Sequence, residues 1–206
     1  MKEQIILVGG GGHCRSCIDV IEQQDCYHIG GIVDMPDKVN QTFLGYPVIG
    51  VDEDLPRIAE TCRNFLITLG QIKSPARRIA LFDLLKGLGV CLPTIFSPRA
   101  YVSRHATVGE GTIVMHNALV NAGAQVGCNS ILNSYALVEH DAQIGDHCHI
   151  STAAIVNGGT TVAARTFVGS NAVTRQGIRI GAGSIIGGGV AVMHDIEPQT
   201  IFMGKK

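Results

Sequence analysis

From Val102 to Val192 an aliphatic residue returns at every sixth position, and Thr174 is the one break in the row. Four places after most of these positions stands a small residue, as at Ala118, Ala124, Ala142, Cys148, Ala154 and Ser184. Glycine follows the aliphatic residue directly at Gly109, Gly127, Gly145, Gly169, Gly181 and Gly187. Such a period is neither the ~3.6 of an amphipathic helix nor the alternation of a half-buried strand. It fits short strands joined by tight turns and wound into a solenoid. With three repeats per triangular coil, residues 18 apart stack, so Val102, Val120, Val138, Val156 and Val192 form one inner ladder with Thr174 as its polar rung. Parallel strands about 4.8 Å apart then make a prism roughly 25 Å tall. The aliphatic residues are expected inside, the small ones where the interior narrows, and the glycines where turns need positive φ. A β-sandwich would instead show alternation at every second residue and irregular spacing.

Composition agrees with a glycine-rich coil that has little room for large side chains. Charged residues make up 16%, aromatics 5%, and there is no Trp among the 206 residues. A net charge of −1 provides no basic footprint for nucleic acid. The chain has no apolar run long enough, at about 18 residues, to span a membrane. The start, Met1-Lys2-Glu3-Gln4, lacks the apolar core and cleavage site of a signal peptide. Seven cysteines, an odd and scattered set, suit reduced thiols and a cytoplasmic location.

Residues 1–93 read as a separate α/β domain, and residues 94–206 as the solenoid. Gln4-Ile5-Ile6-Leu7-Val8 reads as a buried strand that runs into Gly9-Gly10-Gly11-Gly12-His13 and then a helix with Cys17, Ile18, Val20 and Ile21 on its apolar stripe. Further strands are expected at His28–Val33, ending at Asp34, at Val48–Ile49, at Phe65–Leu69, ending at Gly70, and at Val90–Leu92. Helices are expected from the acid-rich Asp52-Glu53-Asp54 and from Ser74-Pro75 through Lys86, with Pro at the first helical position. Strand–helix alternation implies a parallel sheet that binds ligands at the carboxyl ends of its strands. Glycines between strand and helix let backbone N–H groups approach a phosphate. The dinucleotide fingerprint is incomplete, because position 14 is Cys, and the domain is short for two Rossmann halves. One bound nucleotide, with Asp34 placed for a ribose contact, is therefore favoured over a dinucleotide.

Both parts together resemble the NeuD/PglD sugar acetyltransferases, in which a Rossmann-like domain precedes a hexapeptide-repeat, left-handed parallel β-helix. The local match is Val138-Glu139-His140-Asp141-Ala142-Gln143-Ile144-Gly145, then His149, then Asn157-Gly158-Gly159. The left-handed winding comes from this resemblance, since parallel crossovers elsewhere are right-handed. The resemblance implies an acetyl-CoA-dependent N-acetyltransferase acting on a nucleotide-linked 4-amino sugar in bacterial glycan or lipopolysaccharide synthesis. It makes His140 the general base and Asp141 its supporting acid. It places His149, Gly158 and Gly188 along the coenzyme, and Gly11, Gly12, His13, Asp34 and Gly70 on the nucleotide sugar. A homotrimer is implied, and no metal. The family's usual proline-containing C-terminal loop is absent, and Lys205 or Lys206 is the candidate for the coenzyme 3′-phosphate.

The chemistry suits those residues. Acetyl transfer to an amine needs a base for the proton lost on attack and donors for the developing oxyanion. Histidine works near neutral pH, and a neighbouring carboxylate can hold its tautomer. Stacking at 18 residues puts Gly158 directly above His140. No stronger nucleophile is in sight, which favours direct attack over an acyl-enzyme. Against this stand a metal reading of His147-Cys148-His149, a redox reading of Cys14-x-x-Cys17, sialic acid O-acetylation, and a non-catalytic nucleotide-binding scaffold. Cys148 falls on an interior position with both histidines on neighbouring turn positions, which speaks against three convergent ligands. Histidines 105 and 116 fall on turns and read as surface residues; His194 lies where the family's coenzyme tail passes.

Overall fold

The computed structural model describes residues 2–204. The first domain comprises β1 (Glu3–Val8), α1 (Gly12–Gln24), β2 (Tyr27–Val33), β3 (Thr42–Phe43), β4 (Tyr46–Gly50), α2 (Leu55–Ala59), β5 (Asn64–Ile67) and α3 (Ala76–Gly87). The sheet order is β3-β4-β2-β1-β5, parallel except for the β3–β4 hairpin at its edge. The chain direction reverses about β1, so β1 and β5 flank the crevice where such sheets bind ligands. Two expectations fail locally. The β3 strand was not foreseen, and Val90–Leu92 is no strand but a single bridge from Cys91 to Asn64; Pro93 follows directly and cannot continue a ladder. Pro75 stands at the N-cap of α3 and not inside it.

From Ile95 onward two-residue strands recur every six residues and stack into three parallel sheets, pairing residues 18 apart. The prism therefore starts one strand before the aliphatic row, at Ile95–Phe96, which pairs with Ile113–Val114. Inside, Val120, Val138, Val156 and Val192 alternate with Ala118, Ala136, Ala154 and Ala172, all essentially without exposure. The last coil is two residues short, because Ile185 and Ile186 pair with Ile201 and Phe202.

The glycines after the aliphatic residues serve a different purpose from the one expected. Gly127 and Gly145 do not have positive φ. A Cβ on Gly145 would lie 2.6 Å from the backbone N of Ala164 in the next coil, and one on Gly127 2.6 Å from the backbone N of Asp146. These positions are glycine because the coils approach too closely for a side chain. Positive φ falls two residues later and repeats every sixth residue, at Gly123, Asn129, Tyr135, Asp141, His147 and Ala153 among others.

The outward strand residues give the prism three different sides. One carries Thr107, Gln125, Gln143, Thr161 and Arg179 and is polar. A second carries Ile95, Ile113 and Ile131, buried in one cluster with Cys14, Cys17 and Ile18 of α1, so the first domain sits upon it. The third carries Tyr101, Leu119, Leu137, Ile155, Val173 and Ala191, and the first domain leaves it bare.

Replacing Ala154 by Leu inserts volume into a fully buried slot. Overpacking of this kind costs about 1–3 kcal/mol, and the denaturation midpoint in urea should fall accordingly. An unchanged midpoint would mean the interior is looser than its packing indicates.

Candidate active site

His140 and Asp141 occupy the corner where the bare apolar side turns into the polar side. Asp141 adopts φ 59°, a conformation that Asp tolerates better than most residues. Its carboxylate Oδ2 lies 3.0 Å from His140 Nδ1. With Nδ1–H donating to that carboxylate, Nε2 keeps its lone pair. Below them, a Cβ on Gly123 would lie 2.4 Å from Asp141 Oδ1, so the carboxylate occupies the space a side chain would fill. Glu139 orients the turn from the other side: its Oε2 accepts the His140 backbone N–H at 3.1 Å and the Asn121 amide at 2.8 Å. The Asn121 bond, with that N–H, holds the Glu139 carboxyl below its ordinary range. One coil above, a Cβ on Gly158 would lie 2.6 Å from Cε1 and Nε2 of His140, so the imidazole packs its outer edge into the space a side chain there would fill. The side chain of His140 remains 53% exposed.

The predicted nucleotide residues gather at the carboxyl ends of β1, β2 and β5. Gly11 and Gly12 open α1 with no side-chain cap and with empty space where their Cβ atoms would be. A Cβ on Gly70, after β5, would sit 3.7 Å from the His13 Cβ. Asp34 is buried and paired with Lys38 at 2.7 Å. Three residues here escaped the sequence reading: the Phe43 ring covers Gly10, and Arg15 and Lys38 place cations 5.7 and 5.9 Å from its centroid. Phe43 belongs to the unforeseen hairpin, and a lone aromatic there carried no motif.

His149 is not a turn residue as expected; it opens a strand on the covered side and is buried. Its Nδ1 donates to the Gln71 carbonyl at 2.5 Å, and Nε2 lies 3.4 Å from the Asn133 amide. Its ring meets Phe167 edge-on at 5.2 Å and stands 6.4 Å from His13. Burial lowers its pKa to about 4, partly offset by the Gln71 bond, and burial lowers that of His13 to about 3. Nearby, the buried Arg78 bonds the carbonyls of Ile67 and Leu69 and both oxygens of Asn129, welding α3 to the prism. Ser170 and Gly188 lie at the corner between the covered and bare sides, and a Cβ on Gly188 would be 3.1 Å from the Ser170 carbonyl. His140 and Gly158 thus come together, as do Gly11, Gly12, His13 and Gly70. Within one chain, however, His140 and Gly188 stand at opposite edges of the bare side.

Of the competing readings, neither thiol of the Cys14/Cys17 pair suits redox chemistry. Both are buried, and burial raises Cys14 to about 11 and Cys17 higher still. Among the described residues no cluster of three or more His, Cys, Asp or Glu could hold a metal ion. His116 is not a free surface residue but bridges Ser97 and Asp19 of α1 at 2.6 and 2.7 Å. His194 meets Phe202 edge-on at 5.8 Å. Lys205 and Lys206 lie outside the described residues. No described helix is long and apolar enough to cross a membrane.

The PglD N-terminal domain model matches residues 4–81. No curated protein matches the sequence. Among solved structures, a mutant of GDP-perosamine N-acetyltransferase from Caulobacter crescentus, in complex with CoA and GDP-perosamine, is 30% identical over 95% of this chain and 91% of its own, with a TM-score of 0.89. The chain belongs to the NeuD/PglD-type sugar acetyltransferase family. The acetyltransferase domain of PglB from Neisseria gonorrhoeae, in complex with acetyl coenzyme A, is similar at 27% identity, 98% and 97% coverage and a TM-score of 0.89. WeeI from Acinetobacter baumannii shares the fold at 22% identity, 98% and 97% coverage and a TM-score of 0.79. With the family goes the left-handed winding of the prism. As a NeuD/PglD-type enzyme the protein is an acetyl-CoA-dependent sugar N-acetyltransferase.

Two buried imidazoles tie the acetyltransferase's stability to pH. His149 and His13 have folded pKa values below the ~6.5 of a free histidine. The unfolded chain therefore binds more protons, and their contribution is complete above about 6.5 and lost as pH falls toward about 4. The urea midpoint should drop over that interval, and His149→Gln should flatten the drop. Equal midpoints at both ends would contradict the neutral, buried state of these rings.

Proposed function

We propose that the enzyme acetylates the amino group of a nucleotide-linked 4-amino sugar by direct attack on acetyl-CoA, with His140 as general base. The observation that carries this is the corner itself: an exposed imidazole, oriented by Asp141, packs its Nε2 edge against Gly158. His140 Nε2 takes the proton that the amine loses on attack, and Asp141 stabilises the imidazolium that forms. The Gly158 N–H faces the carbonyl oxygen as charge develops there. The empty space over Gly11 and Gly12, the uncapped start of α1 and the cations of Arg15 and Lys38 suit a nucleoside diphosphate. The corner at Ser170 and Gly188 suits the coenzyme, and neutral His149 lies on the covered side that leads into it. GDP-perosamine is the sugar bound by the Caulobacter crescentus relative, which favours an amine acceptor over the hydroxyl of sialic acid and catalysis over a scaffold role.

This reading requires more than one copy of the chain. The bare side of Leu119, Leu137, Ile155 and Val173 is apolar, whereas the polar side needs no cover and the remaining side already has one. Packing the bare sides about a closed three-fold axis buries them. It also brings the His140 corner of one copy to the Gly188 corner of the next. A homotrimer with its active sites between copies follows, and it suits a cytoplasmic enzyme supplied with acetyl-CoA.

His140→Ala should lower kcat about 10²–10⁴-fold with coenzyme affinity retained. Gly158→Ala should lower it too, because the new methyl displaces the base. The assay is thiol release from acetyl-CoA with a panel of UDP- and GDP-linked amino sugars against sialic acid. Wild-type turnover in His140→Ala would remove that residue from the mechanism, and no thiol release with any acceptor would revive the scaffold. Ile155→Glu should convert a trimer to an inactive monomer in sedimentation; a fully active wild-type monomer would overturn the shared-site assembly.

A further inference from the structure

The one break in the aliphatic row lies one coil above the proposed oxyanion donor, and its hydrogen bonds depart from those of every other coil at that edge. Elsewhere the residue after the strand donates its backbone N–H to the carbonyl of the stacked aliphatic residue: Ser103 to Val120, Asn121 to Val138, Glu139 to Val156 and Arg175 to Val192, all at 2.7–2.9 Å. At Asn157 the N–H goes instead to the Thr174 hydroxyl, at 2.9 Å. The vacated Thr174 carbonyl is taken by the Asn157 side-chain amide at 2.6 Å. The Thr174 hydroxyl in turn lies 3.4 Å from Thr160 Oγ1, which donates to the Arg175 carbonyl at 3.0 Å. Every buried hydroxyl of the group therefore has a partner.

The consequence falls on Gly158. In the two coils below, the next N–H along the chain is occupied by the preceding side chain: Ala122 N–H by Asn121 Oδ1 at 2.8 Å, and His140 N–H by Glu139 Oε2 at 3.1 Å. Asn157 is the residue that could do the same for Gly158, but its amide is held at Thr174. Among the described residues the Gly158 N–H has no acceptor, and neither do those of Thr152, Ser170 and Gln176 at equivalent turns; those residues are exposed, whereas Gly158 is buried, and buried N–H groups without a partner are rare. The peptide is nevertheless fixed: Gly159 N–H donates to the His140 carbonyl at 2.9 Å, and Gly177 N–H donates to the Gly158 carbonyl at 3.0 Å.

We infer that Thr174 and Asn157 are positioning residues whose exchange of hydrogen bonds keeps the Gly158 N–H free, beside His140, to receive the charge that develops on the acetyl carbonyl oxygen. A polar residue at a buried position of an otherwise aliphatic ladder then has a task, and so does the Asn before the glycine. Thr174 touches no substrate; it acts through Asn157. This inference rests on the proposed roles of His140 and Gly158.

The test is Thr174→Val, which restores the aliphatic rung. In that variant the Asn157 N–H can bond the residue 174 carbonyl like its neighbours, and the released amide can reach Gly158. Loss of one oxyanion donor costs about 10²–10³ in kcat, and partial masking should lower kcat by about 10- to 100-fold, with the KM for acetyl-CoA and the pH profile unchanged. The thermal midpoint should hold or rise, which a merely structural role for the hydroxyl would not allow. Thr174→Ser should keep near wild-type turnover. A Thr174→Val enzyme with wild-type kcat would overturn the inference, as would one whose loss of kcat tracks a loss of stability or is not rescued by Ser. If His140→Ala also retains full turnover, the underlying assignment of the site has failed instead.

Discussion

Coils stacked at the spacing of a parallel β-ladder bring some of their corners so close that only a backbone fits between them. This close approach governs the molecule. It demands glycine at Gly127, Gly145 and Gly169, where a Cβ would strike the next coil. It sets the alternation of Val with Ala inside and returns a positive φ at every sixth residue. It also builds the site, because a side chain at one corner must lie against the corner above. His140 can lie against the next coil because Gly158 has no side chain, and Asp141 can lie against the coil below because Gly123 has none.

The same geometry divides labour among the three sides. A two-residue strand shows one residue to the core and one to the outside, so the outward residues alone decide what each side meets. Isoleucines at 95, 113 and 131 accept the first domain, and polar residues face water. The first domain is more than leaned on the prism. Arg78, buried with no acidic partner among the described residues and bonded mainly to carbonyls, crosses from α3 to Asn129, and Gln71 holds His149. The loop after β5 therefore touches the proposed nucleotide crevice through Gly70 and, through Gln71, the imidazole proposed to serve the coenzyme. The regions proposed for the two substrates share one short, well-anchored segment.

Much of this was legible in the sequence, because a strict period states register, interior and stacking together. The strands from Val102 to Val192 and the stacking of Gly158 on His140 follow from counting residues. The parts that were not legible depend on contacts with no local period. The role of the glycines was misread because a missing Cβ is needed equally for positive φ and for close approach, and only the neighbouring coil distinguishes them. The β3 edge strand was hidden because two residues in a hairpin carry no pattern. His116 and His149 read as turn or surface residues, yet Asp19 of α1 holds the first and the loop after β5 helps to bury the second, both from far away in sequence. Phe43, Arg15 and Lys38 meet only in three dimensions.

Thr174 shows how far a period can be read. An unbroken aliphatic row would be the more stable choice, since a hydroxyl in an apolar interior needs partners and an aliphatic rung does not. The row breaks once, directly over the coil that carries Gly158, and the partners the hydroxyl finds are those that alter the backbone there. Natural sequences depart from local consistency chiefly at functional sites. In a fold this regular, the departure can be located from the sequence alone, and its chemistry from the hydrogen bonds it displaces. The regular coil provides rigidity, and the irregular rung holds the Asn157 side chain away from a buried donor that it could otherwise occupy.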